Sequence, residues 1–152
     1  MKKIHLLFFA FVSLFTIYSL SAHCQIPCGI FSDELKFREL EEHVVTIEKS
    51  AGLIRNLSAK EDLTANDHQQ LIRWTTNKET HAQKIIDEIA NYFLAQRIKT
   101  DADHYAEKIK LLHHIIVSAM KSKQSIETEA TDKLSNKIAL FKELYMGHTQ
   151  AH

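Results

Sequence analysis

Apolar residues recur every three or four positions through most of the chain after residue 32, which is the spacing of one face of an α-helix. The first such segment predicts a helix over about residues 33–50, with Ser32 as its N-cap and an end near Gly52. A second and longer helix is predicted to begin near Asn66 or Asp67, after a polar connector, and no proline or glycine interrupts it. The apolar faces of these two helices comprise Leu40, Val44 and Ile47, and then Leu71, Trp74, Ile85, Ile89 and Phe93.

Two further helices are predicted after short breaks. Thr100 can cap the third, with Asp103 as a weak capping box, and the fourth begins near Ser125 and ends near Gly147. Their apolar faces comprise Tyr105, Ile109, Leu112 and Ile116, and then Ile126, Ala130, Leu134, Ile138, Phe141 and Tyr145. A short break makes consecutive helices antiparallel, and four helices with one apolar face each bury those faces in a bundle. The sequence therefore predicts an all-α fold, an antiparallel four-helix bundle.

The first 22 residues have a different composition from the rest. Two lysines precede an almost wholly apolar run over residues 4–20, and two small residues follow, ending at Ala22. This layout is typical of a secretory signal peptide that is cleaved after Ala22. A retained membrane anchor is the alternative, because the run is near the lower length limit for crossing a bilayer. Lipoprotein processing at Cys24 is disfavoured, because His23 stands where that processing needs a small residue.

The predicted domains are thus a cleaved signal peptide, 1–22, and a single exported domain, 23–152, in the periplasm or outside the cell. The whole chain has 19 acidic and 19 basic residues, and removal of residues 1–22 takes away two lysines and leaves a formal charge of −2. Nucleic-acid binding requires a concentrated basic face, so nucleic acid is not an expected partner. We also expect no stable membrane insertion of the mature domain.

The predicted helices are preceded by residues 23–31, a segment called the hook below. It holds both cysteines, Cys24 and Cys28, and the only proline, Pro27. A bend at Pro27 can bring the two thiolates together, and cleavage after Ala22 adds the amine and imidazole of His23. Two thiolates with nitrogen donors suit square-planar nickel or copper better than zinc. A Cys24–Cys28 disulfide stays open as the alternative, since export exposes the cysteines to oxidants.

The string His23-Cys24-x-x-Pro27-Cys28-Gly29, followed by four helices, resembles the nickel-containing superoxide dismutases. The resemblance implies a nickel ion bound by the amine and imidazole of His23, the amide and thiolate of Cys24, and the thiolate of Cys28. It implies superoxide as substrate, with dioxygen and hydrogen peroxide as products. It also implies a homohexamer, and maturation requires signal peptidase or an equivalent protease.

The family also has residues around the nickel site, and the resemblance carries them over in part. Glu39 stands eleven residues after Cys28, where a family glutamate accepts a hydrogen bond from the axial imidazole. Tyr92 matches a family tyrosine that faces the site, whereas Phe31 replaces another tyrosine that guards the approach to nickel. Two positions depart further: Asn77 stands in place of an arginine that helps hold the imidazole, and Leu94 in place of a lysine that attracts anions.

The other histidines after the hook do not predict a second metal site. His113 and His114 are adjacent and diverge by about 100° on a helix. His43, His68 and His81 lack a histidine four residues away and lie on different predicted elements, so each is expected to be a surface or partly buried side chain.

Two functions follow from these patterns. The first is an exported nickel superoxide dismutase, an oxidoreductase. The second is an exported, non-catalytic helical protein in which Cys24 and Cys28 form a disulfide or take part in metal storage or delivery.

Overall fold

A computed structural model of the chain describes residues 32–149 and shows the predicted bundle of helices. Its four α-helices are α1 (Asp33–Ser58), α2 (Ala65–Glu88), α3 (Tyr105–Gln124) and α4 (Thr128–Thr149). A π-helix (Ile89–Arg97) continues α2. No strand occurs between residues 32 and 149. The all-α fold class is therefore confirmed, while the hook lies outside the described residues.

The core is built from the apolar faces of all four helices. Aromatic rings pack at its centre: Phe37 lies 5.0 Å from Phe93 and 5.6 Å from Phe141, measured between ring centroids. Most of the predicted core residues are buried, namely Leu40, Val44, Ile47, Ile85, Ile89, Phe93, Leu112, Leu134, Ile138, Phe141 and Tyr145. The helical spacing of apolar residues thus identified most of each buried face, whereas Tyr105, predicted for the apolar face of the third helix, is exposed.

Helix α1 begins as predicted but ends later. The side chain of Ser32 accepts a hydrogen bond from the backbone N–H of Leu35 at 3.2 Å, which makes it the N-cap. The predicted end near Gly52 is wrong, because the helix continues to Ser58. Ile54 is buried two residues beyond that glycine, so burial of this side chain offsets the low helix propensity of one glycine.

Helix α2 begins at Ala65, close to the predicted start. Thr64 is its N-cap and forms a capping box with Asp67: the Asp67 N–H donates to Thr64 Oγ1 at 3.2 Å, and the Thr64 N–H donates to Asp67 Oδ2 at 3.0 Å. Lys60 adds a salt bridge to Asp67 at 2.6 Å. These bonds hold the pKa of Asp67 down at about 2, the Lys60 hydrogen bond being the largest cause.

The predicted start of the third helix near Thr100 is wrong. Successive turns occupy the connection, and α3 begins at Tyr105, after His104. His104 has φ 55°, a left-handed conformation that a non-glycine residue rarely adopts. Its imidazole Nδ1 lies 2.8 Å from a carboxylate oxygen of Glu107 in the first turn of α3.

Helix α4 begins at Thr128 rather than near Ser125 and continues past Gly147 to Thr149, so both predicted bounds are wrong. A Cβ added at Gly147 would meet no atom within 4 Å, and this position is therefore open on one side. No helix within residues 32–149 is long and apolar enough to cross a membrane.

Candidate functional site at the start of helix α1

The site residues predicted from the sequence divide into two groups. His23, Cys24, Cys28 and Phe31 lie outside the described residues. Glu39 and Tyr92 lie within them, on α1 and on the π-helix respectively. The structure therefore describes the end of the bundle that directly follows the hook in sequence.

Asp33, the first residue of α1, ties this end of the bundle together. Its Oδ1 accepts hydrogen bonds from the Tyr92 hydroxyl at 2.5 Å and from Arg97 Nε at 2.7 Å. Its Oδ2 accepts one from the Tyr145 hydroxyl at 2.9 Å. Arg97 Nη2 also lies 2.6 Å from Oδ1, so one carboxylate joins α1, the π-helix and α4. Bonds to a charged group are the stronger class of hydrogen bond.

The π-helix is what lets Tyr92 and Arg97 reach the same carboxylate. Residues five positions apart in an α-helix point about 140° apart, since each residue turns about 100°. In a π-helix the hydrogen bonds join residues five apart, so such a pair stacks on one face. Ile98 N–H donates to the carbonyl of Phe93 at 2.9 Å, which closes this segment.

Lys36 joins the two predicted site residues that the structure describes. Its Nζ donates to Glu39 Oε2 at 2.9 Å and to Glu88 Oε2 at 3.3 Å. The same Nζ lies 5.5 Å from the centroid of the Tyr92 ring, and the guanidinium of Arg97 lies 5.4 Å from that centroid. Tyr92 is thus in contact with two cations, and Glu39 is held one side chain away from it.

Burial and hydrogen bonding together set the charges in this cluster. Burial alone would lower the pKa of Lys36, but hydrogen bonds to Glu39 and Glu88 raise it above its usual value. Burial raises the pKa of Glu88, and burial together with the bond to Asp33 raises the pKa of Tyr145 to about 12. The pKa of Tyr92 is raised for the same two reasons. At neutral pH the ammonium therefore stays charged, and both phenols keep the protons that they donate to Asp33.

The two departures from the family pattern lie elsewhere. Asn77 donates to Ser50 Oγ at 3.0 Å. Ser50 is eleven residues beyond Glu39 on α1, about 16 Å along the helix axis. Leu94 packs against the core. Neither residue supplies a cation next to Glu39, and Lys36 and Arg97 are the cations that contact the Tyr92 ring.

Sequence reasoning missed Asp33, Lys36 and Arg97 as site residues. Asp33, Lys36 and Glu39 are spaced three apart on α1, which places them on neighbouring positions of one face. That spacing was a usable signal, but charges in the first turns of a helix are normally solvated or stabilise the helix dipole. Arg97 carried no such signal, because its position depends on the π-helix.

The structure also brings together two histidines that the sequence kept apart. His43 on α1 and His81 on α2 face each other with 3.1 Å between their Nδ1 atoms. Among residues 32–149, no group of three or more His, Cys, Asp or Glu side chains is placed to hold a metal ion.

Comparison with known protein families identifies the family of the chain. A family model described as nickel-containing superoxide dismutase matches residues 18–149, which include the hook and all four helices. Comparison with curated proteins and with solved structures gives no match. Two soft thiolates with nitrogen donors suit nickel, and the described residues supply a carboxylate, a phenol and two cations where the hook ends. The chain belongs to the nickel-containing superoxide dismutase family, and it is an oxidoreductase with a nickel cofactor and superoxide as its substrate.

Proposed function

We propose that the hook holds the catalytic nickel and that the Asp33–Lys36 end of the bundle forms the wall against which the hook packs. The nickel ligands are the amine and imidazole of His23, the amide and thiolate of Cys24, and the thiolate of Cys28. The amine exists only if the chain is cleaved after Ala22, so export and maturation are part of the same proposal. The observation that carries it is the contact of Lys36 with both Glu39 and Tyr92, directly after the hook.

Glu39 is proposed to accept a hydrogen bond from the imidazole of His23. Lys36 occupies Glu39 Oε2, and no residue of the described bundle bonds Oε1. A carboxylate with one oxygen fixed by an ammonium is restricted in orientation, which suits a group that must orient a metal-bound ring. Here Lys36 positions Glu39, where the family uses an arginine on the second helix to help hold the ring.

Superoxide is an anion, and two cations, Lys36 and Arg97, each paired with a carboxylate, lie next to the Tyr92 ring. When bound, nickel supplies one-electron redox chemistry, and two superoxide ions with two protons give dioxygen and hydrogen peroxide. Lys36 and Arg97 raise the local concentration of the anion. They thereby take over the role of the lysine that the family has at the position of Leu94. The Tyr92 hydroxyl keeps its proton because of burial and donates it to Asp33, so toward the hook its oxygen can accept a hydrogen bond. Phe31 has no hydroxyl, so Tyr92 is the phenol proposed to act beside the hook.

The ligand set is tested on the mature chain purified with nickel. Mass analysis is expected to find His23 as the first residue, and metal analysis about one nickel per chain. His23→Ala, Cys24→Ser and Cys28→Ser should each abolish dismutation. Full activity of a mature chain that begins at any other residue would refute the ligand set, because the amine would then be absent.

The role of Lys36 is tested with Lys36→Gln and with Lys133→Gln as the matched control. Lys133 is exposed on α4 and pairs only with Glu129 among the described residues, so it undergoes the same change of charge far from the site. We expect Lys36→Gln to lower kcat/KM by roughly 2- to 10-fold, since a whole charged cleft raises association rates by about 10- to 1,000-fold. The variant's kcat/KM should also fall less steeply with ionic strength than that of the wild type. Nickel content and thermal midpoint are measured on the same samples. Equal rates and equal salt dependence in the two variants would contradict the steering role.

The family resemblance also leads us to propose a homohexamer and a location in the periplasm or outside the cell. Exposed apolar side chains on the bundle, Val45, Ile72, Met120 and Leu140 among them, provide surface for subunit contacts. The molecular mass of the mature protein in solution, measured by light scattering, tests the assembly. A monomer of full activity would refute it.

A further inference from the structure

We propose that His43 and His81 form a second metal site, one that takes a divalent ion of the imidazole-binding class such as zinc, copper(II) or nickel(II). The site lies between α1 and α2 and uses no residue of the hook. The proposal is independent of how the hook binds nickel.

The first observation is the distance between the two nitrogen atoms. Nδ1 of His43 lies 3.1 Å from Nδ1 of His81. Imidazole nitrogens bind zinc at about 2.0–2.1 Å. Two nitrogens that each lie at that distance from one ion are 3.1 Å apart when the N–metal–N angle is about 98°. This angle lies between those of square-planar and tetrahedral coordination. The pair can therefore bind one ion without moving apart.

The second observation is that the two rings are tilted away from a head-on hydrogen bond. A five-membered ring with bonds of about 1.3–1.4 Å has a radius of about 1.15 Å, so a head-on N–H···N bond of this length would place the ring centroids about 5.4 Å apart. The centroids are 4.9 Å apart, and the rings meet at 82°. Two ring axes that converge at about 98° on a point about 2.05 Å from each nitrogen also give about 4.9 Å. The centroid distance is thus shorter than a head-on N–H···N bond gives, and it equals the distance expected when both rings bind one ion.

The third observation is that the helices hold the two histidines in place. Seven residues before His43, Lys36 bonds Glu88, and seven residues after it, Ser50 accepts a bond from Asn77. Interhelical bonds thus lie about two turns away on both sides, so the spacing of α1 and α2 at the pair is fixed. A preorganised pair of ligands loses little entropy when an ion binds.

The surroundings favour neutral rings and leave room for water. Both histidines are half-buried, and burial is the main reason why their pKa values are lowered, so both are unprotonated at neutral pH. Neutral imidazole is the form that binds metal. Glu39 and Glu42 act on His43 with negative charge, whereas Lys84 acts on both rings with positive charge. Two protein ligands leave the other coordination positions to water, so the ion is expected to exchange readily.

The test uses the full mature chain with Cys24→Ser and Cys28→Ser, which removes the hook thiolates. Zinc is titrated into this protein, and bound zinc is measured by calorimetry. We expect about one zinc per chain and a rise of the thermal midpoint. Adding His43→Gln or His81→Gln should weaken binding by at least about 10-fold, since loss of a mere outer-shell partner costs about 10- to 100-fold. His113→Gln, at an exposed histidine of α3, is the matched control and should bind zinc like its parent.

Two results would overturn the proposal: no zinc bound by the parent, or equal binding by the parent and both glutamine variants. Nitrogen-15 NMR of the parent gives a readout that needs no variant. On addition of zinc, the Nδ1 resonances of His43 and His81 should shift to the values of metal-bound nitrogen while those of His113 stay unchanged. If the Nδ1 resonances of the pair do not respond, they belong to an N–H···N hydrogen bond and the metal site does not exist.

Discussion

Lys78 is a buried ammonium on the core side of α2, and its replacement by methionine tests what it contributes to the bundle. Its side chain is 2% exposed. The Nζ atom donates to the carbonyls of Ser122 and Lys123, both at 2.6 Å, and of Ser125 at 3.1 Å. These carbonyls lie at the C-terminal end of α3, where helix carbonyls have no partner within the helix. Lys78 thus caps α3 from a neighbouring helix.

The size of the effect follows from opposing contributions. Hydrogen bonds to a charged group contribute about 1.5–3 kcal/mol each, but taking an ammonium out of water costs several kcal/mol. Methionine keeps the apolar stem and removes both contributions, leaving the carbonyls without their donor. Ser122 is buried, so its carbonyl stays without water and costs about 1–3 kcal/mol, while the half-buried Lys123 and Ser125 can be partly hydrated. We expect Lys78→Met to lower the free energy of unfolding by about 2–4 kcal/mol.

Urea unfolding followed by circular dichroism measures this difference. Lys133→Met is the control, because its salt bridge to Glu129 is exposed and should change stability by less than about 0.5 kcal/mol. A Lys78→Met protein as stable as the wild type, or more stable, would refute the reasoning. It would show that the cost of burying the ammonium equals or exceeds the three hydrogen bonds.

Three further predictions concern the ends of the helices. The pKa of Asp67 is lowered to about 2 by Lys60 and Thr64, so its stabilising effect is present above about pH 4 and is lost as the pH falls toward 2. The difference in thermal midpoint between wild type and Asp67→Asn should therefore shrink from pH 5 to pH 2. A difference that stays constant over this range would contradict the assignment. Asp33→Asn weakens the bonds from Tyr92, Tyr145 and Arg97 and should cost about 2–4 kcal/mol in urea unfolding, whereas a loss below about 0.5 kcal/mol would show that this carboxylate does not tie the helices together. At His104, where φ is 55°, valine should be less stable than glycine by about 1–2 kcal/mol in the same assay, and equal stability would argue against a left-handed residue there.

Local patterns were sufficient for the number of α-helices and for most of the buried faces. Ser32 was predicted to cap α1, and the structure confirms its bond to Leu35. The bounds that were wrong, at Gly52, Thr100, Ser125 and Gly147, all placed a helix end or start at a residue with a strong local preference. Tertiary packing outweighed those preferences: burial of Ile54, for example, extends α1 by more than a turn beyond Gly52.

The contacts between helices could not be predicted in the same way. His43 and His81 are 38 residues apart, and their meeting depends on how α1 and α2 are rotated and aligned against each other. Lys78 occupies a core position where an apolar residue is expected, and only the position of the end of α3 explains it. A charged or polar residue on a helix looks solvated until the neighbouring helix is known.

The sequence by itself determined the four helices, their apolar faces and the hook with its soft donors, because each of these is written in residues close together in the chain. The tertiary structure decided what surrounds Glu39 and Tyr92. Lys36 contacts both, and the π-helix turns Tyr92 and Arg97 toward Asp33. Except for the Lys36–Glu39 bond, these contacts join residues more than fifty positions apart, and a change of one residue in helical phase, about 100°, is enough to break them.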